Sequence, residues 1–402
     1  MSSTLIAREK ASELHIYPER LDLLHKKLSQ WVDEGLRQSI AVRIMRNGQS
    51  IFEGAYGSSK PKPDTTPLTL DHIFPVASIT KPIIATLLMQ LQEDGEIDLC
   101  EWVSEFVPSF KHDNKNGISI WHLLTHTSGL IDADIESGVN AYLRDELKFT
   151  LPENNNDDGW DKIFIKARNL MELPEIIDTR EAVHDTWATI ARGLPPTHQP
   201  HKLMSYCNTG YQLCKEIVTN VYGKPIEEIA QERIFKPLGM KDSHFILPKD
   251  KWDKVVRRGE DCEGYPWQND EGCFISESGA GGLKTTTGDI IRFCEMIRSN
   301  GTLNGIRVLS TLSVQRMSQD FNYDLNAAFD SWTLGFNYRG KKFDDSGILR
   351  PSSCLDHGGW GGSKIFIDEK SGLSMAFFAV HYNGKKSLLA PFANIVYSCL
   401  SK

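Results

Sequence analysis

The sequence predicts an α+β protein. One antiparallel sheet is built from the two ends of the chain and flanked by terminal helices, with a mostly helical domain inserted between. Three observations predict it. Asn47-Gly48 sits between two apolar runs, Ile40 to Met45 and Ile51 to Gly54, and a two-residue turn of that type needs positive φ at both positions, which marks a hairpin. Leu373 to Tyr382, with Met375-Ala376-Phe377-Phe378-Ala379-Val380 at its centre, is the most strand-like stretch of the chain. The region between carries apolar residues at helical spacing. At 402 residues the chain exceeds what one core usually holds. The expected division is 1–75 plus 305–402 for the sheet domain and 76–304 for the helical domain.

The elements follow in chain order. Leu21, Leu24, Leu28 and Val32 place an amphipathic helix within 17–37. The Asn-Gly hairpin comes next, then a proline-rich loop from Ser58 to Pro67. Ile83, Leu87, Leu88 and Leu91 set a helix over 82–99, and a short one covers 118–130. The segment 132–200 is polar and reads as irregular, weakest at Asn154–Gly159, with helical pieces near 163–173 and 180–193. Long loops in compact folds are usually functional or disordered, so this segment is expected to act as a lid. Further helices are expected at 209–222, 225–234 and 287–299, strands at Trp332–Tyr338 and Lys364–Asp368, and a closing helix over 386–400.

Composition narrows the function. With 40% hydrophobic and 24% charged residues the chain is ordinary globular material. A net charge of −8 and no basic stripe argue against nucleic-acid and anionic-membrane partners. No run approaches the ~20 apolar residues that span a bilayer. The eight cysteines include no C-x-x-C pair, which predicts reduced thiols and no zinc site. The N-terminus turns polar after three apolar residues, so a cytoplasmic protein without a secretory signal is expected.

Four segments can carry chemistry. In Ser78-Ile79-Thr80-Lys81, serine and lysine three apart on a helix share a face. At a helix start, free N–H groups favour developing negative charge, and burial disfavours an ammonium, so Lys81 can take the Ser78 proton. A second match, Ser59-Lys60-Pro61-Lys62, lies in a proline loop with no helix to align it. Tyr206-Cys207-Asn208 places a phenol and an amide two residues apart; a phenol can shuttle a proton. In His357-Gly358-Gly359-Trp360-Gly361-Gly362 the glycines permit close approach of a substrate, and the Trp360 N–H could complete an oxyanion hole with that of Ser78. Trp121 to Leu130 contains His122 and His126 four apart, but Leu123 stands where a zinc-protease glutamate would be. It is read as structural, a helix end stopped by Gly129. G-x-S-x-G, Walker A and dinucleotide fingerprints are absent.

Together with Gly279-Ala280-Gly281-Gly282-Leu283, these segments occur in one order. That order resembles the serine β-lactamase and penicillin-binding protein superfamily. The branch resembled is the class C-like one, which also holds family VIII carboxylesterases, D-amino-acid peptidases and acyltransferases. The resemblance runs from about residue 20 to the C-terminus and implies a β-lactamase/transpeptidase-like fold. It implies Ser78 as acylated nucleophile, Lys81 as its base, Tyr206 as proton shuttle and Asn208 as the orienting amide. His357-Gly358-Gly359 stands where a Lys-Thr-Gly motif is usual, which weakens the penicillin reading and suits the esterase branch.

The expected activity is hydrolysis of a small-molecule ester or amide through an acyl-Ser78 intermediate, with no metal or organic cofactor. The alternatives are an acyltransferase of secondary metabolism with the same chemistry, a β-lactamase or D-aminopeptidase, or a ligand-binding sensor that keeps the fold.

Overall fold

The structure is a computed structural model that describes residues 4–110, 117–152, 159–177, 179–325, 331–340 and 346–401. The chain forms two compact units, Met1–Ile97 with Val218–Lys402, and Asp98–Ile217. The sequence placed the divide at 76 and 304. Residues 76–97 and 218–304 lie in the sheet unit; within the second stretch the helix Thr287–Arg298 packs directly on the central strands.

The sheet unit is organised around strands β1 (Leu5–Ile6), β2 (Arg37–Arg46), β3 (Gln49–Gly57), β4 (Phe74–Pro75), β5 (Lys284–Thr285), β6 (Thr302–Leu303), β7 (Ile306–Arg307), β8 (Asn337–Tyr338), β9 (Leu355–Gly359), β10 (Ser363–Asp368) and β11 (Leu373–His381). Seven of them form one sheet in the order β1-β3-β2-β11-β10-β9-β8, and each neighbouring pair is antiparallel. The N-terminal hairpin thus meets the C-terminal strands at β2 against β11, where Val42 faces Phe377. Asn47 and Gly48 have φ of 48° and 80°, the two left-handed positions that an Asn-Gly hairpin turn requires.

The helix Pro18–Asp33 lays Leu21, Leu24, Leu28 and Trp31 on one face of the sheet. It is joined there by Phe392 and Val396 of the helix Leu389–Tyr397. The helix Thr287–Arg298 packs against β2, β10 and β11, through a buried row that includes Ile290, Phe293 and Ile297. With both faces covered, β11 is buried from Leu373 to Val380 and reads as a continuous apolar run rather than an alternating one.

The second unit is helical. Ile120–Leu124, Asp132–Ala141, Gly159–Leu170 and Thr179–Gly193 are helices, and Asn208–Tyr222 begins there. The expectation of an irregular 132–200 segment is corrected: its described parts are largely helical, with Thr179–Gly193 packed against both Asp132–Ala141 and Gly159–Leu170. Asn154–Asp158, its weakest point by sequence, lies outside the described residues. Trp332–Tyr338 contributes only Asn337–Tyr338 as a strand. Among the described residues no helix is long and apolar enough to cross a membrane.

Candidate active site

In the sheet unit the chain leaves β4 through Ala77, whose φ of 45° is costly for a residue with a Cβ. It passes a 3₁₀ turn, Ala77–Ile79, and enters the helix Thr80–Asp94, which stops at Gly95 in the left-handed conformation. Ser78 sits half-buried on this turn. Lys81, one turn on, is 0% exposed. Its Nζ lies 3.0 Å from Ser78 Oγ and donates to the Ala280 carbonyl at 2.9 Å. The serine–lysine pair expected from the spacing is therefore formed.

The Ala280 acceptor has no signature in the sequence, but several contacts fix it. Thr80 Oγ1 donates to Ala77 O at 2.7 Å and accepts the Leu283 N–H at 2.9 Å. Val76 N donates to Leu283 O at 3.1 Å, and β4 pairs with β5 just beyond. Lys284 follows the loop, buried, with Nζ donating to the carbonyls of Phe245, Ser276 and Gly282. Burial pushes its amine down to about 7. The loop 279–283 is thus clamped to the Ser78 turn at several points.

His357, Gly358 and Gly359 are not a turn before a strand, as the sequence suggested; they are the end of β9, paired with Ile365, Lys364 and Ser363. The turn is Trp360 to Gly362, with Gly361 and Gly362 at φ of 94° and 111°. Gly359 passes so close to the segment before Ser78 that a Cβ there would stand 2.0 Å from Val76 O. Trp360 is 54% exposed. His357 is 2% exposed, and its Nδ1 lies 2.8 Å from Gly358 O. Burial first, and next the charge that Lys81 carries when protonated, push its imidazole down to about 3. A neutral, buried ring cannot act as the cation of a Lys-Thr-Gly motif. Asp356 precedes it on the strand and so points to the opposite face. There Arg350, Lys364 and Asn337 hold its buried carboxylate, and the two cations keep it at about 2 against the cost of burial.

In the second unit Tyr206 and Asn208 flank Cys207 at the start of the helix Asn208–Tyr222. Asp132, which the sequence analysis did not single out, organises this segment. Its carboxylate accepts from Cys207 Sγ at 3.2 Å, Asn208 N at 2.7 Å, Thr209 N at 3.1 Å and Thr209 Oγ1 at 2.9 Å. It caps the helix from 75 residues away in sequence. Cys207 is buried, and burial beside Asp132 holds its thiol protonated and well above the usual range. Its role is structural. His126, 1% exposed, accepts the Cys207 N–H on Nδ1 at 3.1 Å and lays its ring against that of Tyr206.

His122 and His126 have separate duties. His122 Nδ1 accepts the Ser119 N–H at 3.1 Å, closing a capping box at the start of the helix Ile120–Leu124. Gly129 is not that helix's stop, which falls at Thr125. A Cβ on Gly129 would lie 1.9 Å from His198 O, so a close backbone approach is what selects glycine here. Among the described residues no group of three or more His, Cys, Asp and Glu suits a metal ion. The second S-x-x-K match lies in a loop outside any helix: the buried Ser59 donates to Thr66 O at 3.2 Å, and Lys60 pairs with Asp64.

The residues thus assemble as two groups, Ser78, Lys81, His357, Gly358, Gly359 and Trp360 in one unit, Tyr206 and Asn208 in the other. Comparison with known proteins agrees with the fold. A crystal structure of a penicillin-binding protein homolog from Caulobacter crescentus superposes with a TM-score of 0.72 at 18% identity, covering 96% of this chain and 99% of that one. The esterase EstB of Burkholderia gladioli is 23% identical over 385 residues, 88% of this chain and 89% of its own. Protein Rv1367c of Mycobacterium tuberculosis is 27% identical over 278 residues, 63% of this chain, and the match spans only 61% of that relative. The family model described as Beta-lactamase matches residues 24–390, nearly the whole chain, and the protein belongs to that family.

Proposed function

We propose that the protein is a serine hydrolase that cleaves a small ester or amide through an acyl-Ser78 intermediate. The observation that carries this reading is the 3.0 Å contact between the buried Lys81 amine and Ser78 Oγ on a strained turn. Lys81 Nζ takes the Ser78 proton as Oγ attacks the substrate carbonyl. The carbonyl oxygen becomes an oxyanion, stabilised by the backbone N–H groups of Ser78 and Trp360. The leaving alcohol or amine departs with a proton, and water then attacks the acyl group and releases Ser78. Tyr206 is assigned the proton shuttle on its motif, and Asn208 the orienting amide.

The esterase reading is preferred to the β-lactamase one because of His357. A β-lactam carries a carboxylate, and an imidazole held neutral down to about 3 offers it no positive charge. The kinship with a protein named as an esterase supports the same choice.

The test is intact-protein mass after brief exposure to an activated short-chain ester, quenched in acid. One acyl adduct is expected in the native protein and in Ser59→Ala, and none in Ser78→Ala. Lys81→Ala should slow adduct formation by about 10²-fold or more. A native protein with neither adduct nor ester turnover would overturn the proposal.

A further inference from the structure

Beside the nucleophile turn lies a pair of tryptophans that the mechanism does not use as side chains. Trp267 is half-buried and packs on a small core of Ile73, Leu247, Val255, Cys273 and Phe274. Trp360 stacks on it, with ring centroids 6.1 Å apart and planes 29° from parallel. More than half of Trp360 remains exposed, so one face is supported and the rest is open. Exposed tryptophan is unusual, since its large ring normally finds cover.

The position of this pair is tied to Ser78. A Cβ on Gly281 would stand 3.7 Å from the Ala77 backbone and 3.8 Å from Trp267 Cη2, so the indole edge and the nucleophile turn line the same glycine. Gln268 Nε2 donates to Pro75 O at 3.2 Å and to Trp360 O at 3.1 Å, joining the chain just before Ser78 to the chain that presents Trp360. Arg258, 1% exposed, holds the Gly361 carbonyl at 2.8 Å and fills the space a side chain at 361 would need. The backbone that presents the open indole is therefore held by Gln268 and Arg258 at consecutive residues, and the ring itself rests on Trp267.

We propose that the stacked Trp267–Trp360 pair is a substrate subsite for a planar aromatic group, so that the substrates of the Ser78 site are aryl-bearing esters or amides. The proposal rests on the acyl-Ser78 reading for its placement beside the reacting carbonyl. A pre-stacked indole presents a rigid face at little entropic cost, and a flat ring gains from offset stacking what a saturated ring of equal size does not. The aryl group enters from either the acyl or the alcohol side of the ester, and paired substrates separate the two.

The experiment compares benzyl acetate with cyclohexylmethyl acetate, and methyl phenylacetate with methyl cyclohexylacetate, in the native protein and in Trp360→Leu and Trp360→Phe. The expected result is a kcat/KM preference for the aromatic member of at least one pair. Trp360→Leu should lower it about threefold to tenfold, and Trp360→Phe should restore part of it. The pair that responds names the side of entry. The same ring pairs are also titrated into Ser78→Ala by tryptophan fluorescence, which reads binding without turnover. Equal affinity for flat and saturated rings there, or a preference that Trp360→Leu leaves unchanged, would overturn the subsite. Ester turnover absent from the native protein while aromatic preference persists in binding would instead count against the acyl-Ser78 reading alone.

Discussion

The imidazole of His126 lies 4.4 Å from the phenol ring of Tyr206, tilted by 36°. The same imidazole accepts the N–H of Cys207 at 3.1 Å. An Nδ1 that accepts leaves the ring proton of the neutral form on Nε2 and fixes the ring plane. From the other side Asp132 fixes Cys207, Asn208 and Thr209. The exposed phenol is thus carried on a backbone held at consecutive residues.

If this clamp serves Tyr206, Asp132→Ala should lower kcat by about tenfold or more, since misplacement of a catalytic group by an ångström costs about 10²-fold. In a Tyr206→Phe background the same change should cost little more, because residues that act through one group are not additive. Losses that simply multiply in the double variant would show that Asp132 acts elsewhere.

Thr80 predicts a second effect. Its hydroxyl is buried and makes two bonds, to Ala77 O and from Leu283 N. Thr80→Val keeps the shape and removes both. A buried N–H left unpaired costs about 1–3 kcal/mol, readable from urea midpoints. Acylation should also slow, because the Leu283 clamp positions the neighbouring Ala280 carbonyl that receives Lys81. A variant with native stability and native acylation would make Thr80 incidental.

The sequence revealed what depends on local spacing. The Asn47-Gly48 turn needed only two adjacent left-handed residues, and Ser78 with Lys81 needed only a helix. It could not reveal what depends on backbone atoms or distant partners. The Ala280 carbonyl has no residue-type signature. Asp132 sits on a helix that reads as polar surface, 75 residues before the thiol it accepts from. β4 and β5 are two residues each, too short for any period to register. His357 to Gly359 read as a turn because glycine usually marks one. They form a strand by pairing with Ser363 to Ile365, and residue 359 is glycine because Val76 O leaves no room for a Cβ beside it.

That close approach makes Gly359→Ala informative. The new methyl would meet a backbone oxygen at 2.0 Å, which no rotamer change relieves, so β9 and the Ser78 turn must separate. Acylation should fall by about 10²-fold. Gly193→Ala, with nothing within 4 Å at the end of a helix, serves as the control and should be neutral or slightly stabilising. Equal acylation rates in both variants would mean that the spacing of β9 from the turn does not matter.

His357 predicts how the fold responds to acid. Its imidazole titrates near 6.5 in the unfolded chain and near 3 when folded, because it is buried and feels the positive charges of Lys81 and Lys364, with only partial relief from the Gly358 backbone and from Asp356. A folded value below the unfolded one means that the unfolded state binds the proton first. Stability is therefore lost as pH falls from about 6.5 towards 3, by up to about 1.4 kcal/mol per pH unit. His357→Gln has no such proton to bind, so its stability should fall less steeply across that window. Other acid-sensitive groups, such as His122, remain in both proteins and cancel in the difference. Urea unfolding of both at pH 7, 5.5 and 4.5 measures it. Converging stabilities on acidification are expected, and a constant gap would mean that His357 is protonated in the folded state or already exposed.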